Sequence, residues 1–113
     1  MMQFYKLIDD ALVPCDMLEW SIWHSQNSTT IAYSTEDEGR LEISTVFLGF
    51  GHGMNQDQFF ETMVFDSNVK SSLQTRYCTL EEAKEGHQKV CKHLAKKIER
   101  DLRREQGENL PGR

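Results

Sequence analysis

Hydrophobic and polar positions follow a strand-like rhythm through the first two thirds of the chain and a helical one after it. From Gln3 to Pro14 two short β-prone runs flank Asp9-Asp10, a pair that tolerates turn geometry, and together they predict a small hairpin ended by Pro14. Asp16 offers a side-chain acceptor to open a helix, with Glu19 three places on. Trp20 and Trp23 share a face of that short helix, so at least one should anchor it onto a sheet. Thr30 to Thr35 reads as a strand rich in β-branched and aromatic residues, and Glu36 to Gly39 is a loop too charged to bury. Arg40 to Phe50 contains the strongest strand pattern. It alternates at first, but Val46-Phe47-Leu48 is continuously apolar, which implies cover on both faces at that end. Three glycines in five positions after Leu48 mark a flexible connection to the next run, Phe59 to Phe65, and Leu73 to Tyr77 reads as a last short strand.

The rhythm then changes. Thr79 and Glu82 form a capping box, and Ala83, His87, Val90, Cys91, Leu94, Ile98 and Leu102 recur at steps of three and four residues. Lys89, Lys92, Lys96, Arg100 and Arg103 occupy the other side of this helix, with Glu85 and Glu99 four residues before Lys89 and Arg103. The expected fold class is α+β: an antiparallel sheet of four to six strands, packed on one face by the long C-terminal helix and edged by the short N-terminal helix. One domain over residues 1–106 and a flexible tail over 107–113 complete the expectation, since a chain of this length supports a single core.

Charge narrows the picture. The net charge is −5, and it is uneven: Met1 to Cys78 holds eleven acidic side chains against four basic ones, whereas Thr79 to Glu105 holds eight basic and six acidic. An acidic balance argues against general nucleic-acid binding, which depends on neutralising phosphates with Lys and Arg. Protein partners or self-association remain the favoured partner class. No apolar run approaches the roughly 18 residues of a membrane span. Three cysteines, Cys15, Cys78 and Cys91, and no secretory pattern imply free thiols in a reducing, cytoplasmic setting.

Several blocks carry a resemblance. Val13-Pro14-Cys15-Asp16 with Trp20, Ser44-Thr45-Val46-Phe47-Leu48-Gly49 with His52, Phe60-Glu61-Thr62-Met63-Val64-Phe65, and Arg76-Tyr77 with Thr79, Glu82-Ala83 and Gly86-His87 resemble a family of small uncharacterised proteins encoded in bacteriophage and prophage genomes. The likeness spans Tyr5 to about His93. The chain departs from the family pattern at Gly51, where an acidic residue is usual, at Asn55 to Gln58, where prolines are usual, and at Cys78 and Leu80. The resemblance implies a phage-type accessory protein acting in a bacterial host cell, and it brings no established activity with it.

Candidate chemistry is sparse. His52, in the glycine-rich connection, is the best single candidate, because histidine titrates near neutrality and loops carry function. Glu61 lies in an apolar strand, where a carboxylate is either solvent-facing or paired, with Arg76 as the expected partner. His87 sits on the apolar helix face beside Gly86, whose presence in a helix suggests close approach of another backbone. Two readings follow for His87: a core histidine bonded to a strand carbonyl or to Tyr77, or one member of a His52–Glu61–His87 set serving a small hydrolase or a metal site. Cys78, Cys91 and His93 lack the paired spacing of a zinc site, and no phosphate-cradling loop or Ser-His-Asp spacing occurs, so no metal or cofactor is expected. The leading expectation is a binding module with an exposed patch around Phe50, His52, Met54 and Phe59.

Overall fold

The computed structural model describes residues 3–51 and 57–108, without the side chains of 69–72 and 106–108. Over the described residues it is α+β, with six antiparallel strands in two sheets and two helices. The hairpin joins β1 (Phe4–Ile8) to β2 (Ala11–Cys15) through Asp9 and Asp10, both at positive φ, the geometry of a two-residue turn whose twist matches the strands. β2 runs through Pro14 to Cys15 instead of ending at the proline. Pro14 faces Tyr5 in the register, and the Tyr5 N–H points away from it to the Gly49 carbonyl, 2.8 Å away. This pairing position uses no Pro14 donor, so the ring is accommodated.

α1 (Met17–Gln26) starts where the capping pattern places it: the Asp16 carboxylate accepts the Glu19 N–H at 2.8 Å. The main sheet has the order β3 (Thr30–Glu36), β4 (Leu41–Phe47), β5 (Phe60–Asp66), β6 (Val69–Tyr77). β6 is four residues longer than its apolar run suggests, because it returns directly from the turn after Asp66, with Val69 paired to Asp66.

α2 (Leu80–Glu108) is capped by the Thr79 hydroxyl, which accepts the Glu82 N–H at 3.1 Å. It crosses one face of the main sheet and touches all four strands. Two apolar clusters result. Leu41, Ile43 and Val64 meet Leu94, with Val90, Cys91 and Ile98 beside them. Phe47, Phe59 and Phe60 meet Ala83, with Tyr5, Leu7, Leu12, Trp23, Ile31, Tyr77 and Leu80 around them, so the hairpin and α1 close the second cluster. The helix extends to Glu108, past the expected boundary at 106, since nothing before Pro111 forbids it.

Gly86 faces a side chain, not a backbone. A Cβ there would overlap the ring of Tyr77, so the glycine leaves room for that ring against α2. Gly49 has φ +83°, and a Cβ there would overlap the Trp20 indole and come within 2.6 Å of the Tyr5 carbonyl. At this junction the hairpin, α1 and the end of β4 converge: Trp20 Nε1 donates to the Leu48 carbonyl at 3.0 Å, and the Leu48 N–H donates to the Phe59 carbonyl at 2.7 Å.

The sheet face away from α2 is mixed. Register places Tyr33, Ser44, Met63 and Gln74 in one row, and Val46, Glu61 and Arg76 in another. Tyr33 and Phe65 are exposed there, and Val46 and Met63 are half-buried. The continuous run Val46-Phe47-Leu48 is thus covered fully only at Phe47; its neighbours are half-buried.

Candidate functional site

His87 sits at the centre of the α2–sheet interface, and 1% of its surface is exposed. Its position follows from the helical period that also buries Ala83 and Leu94 and half-buries Val90. Its ring nitrogens meet hydroxyls rather than the carbonyl or tyrosine expected of a core histidine: Nδ1 is 2.8 Å from Thr45 Oγ1, and Nε2 is 2.9 Å from Ser34 Oγ. Thr45 also bonds Thr62 Oγ1 at 2.5 Å across the β4–β5 pair. Each hydroxyl is both donor and acceptor, so this short chain satisfies a neutral imidazole of either tautomer without a charge. Burial pushes the His87 pKa below its ordinary 6.5. A neutral, enclosed imidazole held by two strand hydroxyls, one of them bonded on to Thr62, is equipped to fill the core, not to exchange protons with a substrate.

Glu61 is only 6% exposed, and it answers to Arg76: Nε donates to Oε2 at 3.0 Å between directly paired residues of β5 and β6. This is the expected ion pair. Glu61 and Thr62 are adjacent in a strand and project to opposite faces, and Thr62 belongs to the His87 chain. The structure therefore puts Glu61 and His87 on opposite sides of the sheet. His52 lies outside the described residues, as does Met54. Among the described residues no three His, Cys, Asp or Glu side chains gather as metal ligands. Cys15, Cys78 and Cys91 are free thiols, and Cys78 donates to the Asp57 carboxylate at 3.7 Å. Burial and then the Asp57 charge raise its pKa.

The patch expected around Phe50 and Phe59 is not an exposed one. Phe59 is 8% exposed and packs on Tyr5 with ring centres 4.7 Å apart. Phe50 is half-buried, stacked edge-on against Trp20 at 5.1 Å and bridged through its backbone to Phe4. The sequence pattern places Phe50 in the glycine-rich connection and Phe59 at the start of the following strand. The hairpin, which returns along the end of β4, covers them.

The exposed apolar surface lies elsewhere. On α1, Trp20 and Trp23 pack inward, on Phe4 at 5.3 Å and on Phe47 at 5.7 Å. Met17, Leu18 and Ile22 face outward, 64%, 70% and 50% exposed. A helix apolar on all sides is ordinarily buried all round. The signal was present in Met17-Leu18-Glu19-Trp20-Ser21-Ile22-Trp23, where apolar residues fall on more than one side of the helix. No family model, no curated protein and no solved structure matches the chain. Among the described residues no helix is long and apolar enough to cross a membrane.

Proposed function

We propose that this chain is a protein-binding module whose principal contact surface is the outward side of α1. The observation that carries this reading is the set Met17, Leu18 and Ile22, three large apolar side chains left in solvent on a ten-residue helix whose opposite side is already anchored by two tryptophans. Large apolar side chains grouped on one exposed side of a helix are a mark of association surfaces. The helix is fixed to the rest of the fold by the Trp20–Leu48 hydrogen bond and the Lys6–Glu19 ion pair at 3.6 Å, and its start is capped by Asp16. A rigid apolar helix face is a form that partners recognise with little ordering cost. The resemblance to small phage-encoded proteins supports an accessory role of this kind, in which one viral product engages a host or viral protein. The hydrolase reading draws no support from the described residues, since Glu61 and His87 have separate partners on separate faces.

The test compares capture from bacterial lysate by the intact chain and by a Leu18→Glu, Ile22→Lys double variant. Both positions are exposed, so the variant should fold as the parent does. The reading expects a stoichiometric partner, or self-association in sedimentation, that the parent shows and the variant loses. Equal behaviour of the two would overturn it.

A further inference from the structure

A second surface, distinct from α1, is the side of α2 turned away from the sheet. Lys89, Lys92, Lys96, Arg100 and Arg103 recur there at steps of three and four residues, opposite the stripe that buries His87 and Leu94, and form a basic wall. All five are exposed. Among the described residues Lys89, Lys92, Lys96 and Arg100 take part in no ion pair; Arg103 pairs with Glu99. The other acidic side chains nearby leave the wall uncompensated. Asp101 borders the space between helix and sheet beside Leu94 and Ile98, Glu105 falls on that same side seven residues after Ile98, and Glu85 lies one turn ahead of Lys89, where the basic run begins. From Lys89 to Arg104 the helix holds seven basic side chains and two acidic ones, whereas residues 1–78 hold eleven acidic and four basic. The acidic balance of the whole chain points away from nucleic acid only because it sums charges that the fold separates. Past Ile98, its last residue in the core clusters, α2 continues to Glu108, about 15 Å further, and carries Arg100, Arg103 and Arg104 away from the acidic sheet.

From these features we infer that the basic wall of α2 binds the phosphate backbone of duplex DNA without reading its sequence. Charge complementarity comes first: four unpaired cations in one line are the means by which a protein neutralises phosphates and releases their counterions. The rise from Lys89 to Arg103 is about 21 Å, and at one phosphate per about 3.4 Å of each strand that length meets several of them. Composition then separates the ligand classes. Protein interfaces centre on aromatic and apolar side chains, and the wall contains no apolar residue and no Phe, Tyr or Trp. The same lack sets aside a single strand, which is held by bases stacked on aromatic rings. A helix about 10–12 Å across matches a major groove about 12 Å wide, which duplex DNA has and the deep, narrow groove of duplex RNA is not. This contact goes beyond the protein-binding reading of α1 and uses none of its residues.

The experiment titrates the full-length chain into fluorescently labelled duplex DNA of about 20 base pairs, in two unrelated sequences, at about 0.1 M salt, and reads anisotropy. The expected result is saturable binding with a dissociation constant of roughly 1–100 μM, alike for both sequences. Four phosphate contacts should weaken it about tenfold when the salt is doubled. Lys92→Glu with Lys96→Glu and Arg100→Glu should weaken it at least about tenfold, with circular dichroism and melting retained because all three positions are exposed. Leu18→Glu with Ile22→Lys should leave it unchanged, so the fate of the α1 reading and that of this one are told apart. No saturable binding, binding indifferent to salt, or binding that the triple variant keeps overturns the inference. Tighter binding of the single strand, or of poly-glutamate as an acidic protein's stand-in, would assign the wall to another partner and would likewise overturn it.

Discussion

At the scale of single residues, the polar cluster under α2 has the most to lose from substitution. Thr45 is its hub, bonded to both Thr62 and His87, so Thr45→Val leaves one buried hydroxyl and one imidazole nitrogen without this partner. The expected loss is about 1–3 kcal/mol in urea unfolding, with the fold retained. His87 makes stability depend on pH. Its folded pKa is held below 6.5 by burial, so the neutral form is the native one. The unfolded chain gains this proton near pH 6.5 and the folded one only at lower pH. The stability tied to His87 is full above about 6.5 and is lost as the pH falls from there towards the folded value. Urea midpoints measured between pH 7.5 and 5 should fall on the acid side, and the part due to His87 should be missing in His87→Gln. Glycines are equally exacting. Gly86→Ala gains roughly 1 kcal/mol of helix propensity but drives a methyl group into the Tyr77 ring, and the net effect should be destabilising by thermal melting. Gly86 could be read in the sequence as a close-approach position, whereas the identity of what approaches could not, because Tyr77 is brought to it by the β5–β6 pairing.

At the scale of elements, the hairpin turn, the α1 cap, the capped start of α2 and its buried stripe were all legible, because each rests on residues within a few positions of one another. What was not legible depended on distant contacts. Phe50 and Phe59 read as part of an exposed patch because nothing local shows that Phe4, Tyr5 and Trp20 fold back over them. The hydroxyl partners of His87 come from β3 and β4, 53 and 42 residues away. The Glu61–Arg76 pair was legible from chemistry alone: a carboxylate in an apolar strand needs a cation, and few were on offer. Removing that cation with Arg76→Ala strands a carboxylate that is almost fully buried, and about 2–4 kcal/mol should be lost in denaturant unfolding. Arg76→Lys should recover part of it.

At the scale of the whole molecule, α2 is longer than the sheet it covers. Its last contacts with the strand core are at Leu94 and Ile98, and Leu102 is exposed beyond them. Amide exchange should therefore be slow from Ala83 to Ile98 and fast from Leu102 onward. Function follows the same division between interior and surface. The histidine best placed by the fold is enclosed, while the apolar residues of α1 and the basic wall of α2 face solvent. The claim underlying this division is that His87 is an interior structural group. Its imidazole ¹⁵N resonances, followed through a pH titration of the intact chain, test that most directly. The account predicts that the His87 ring protonates only below pH 6.5 and keeps one slowly exchanging ring proton while neutral. A His87 ring that titrates near 6.5 in fast exchange with water would contradict it.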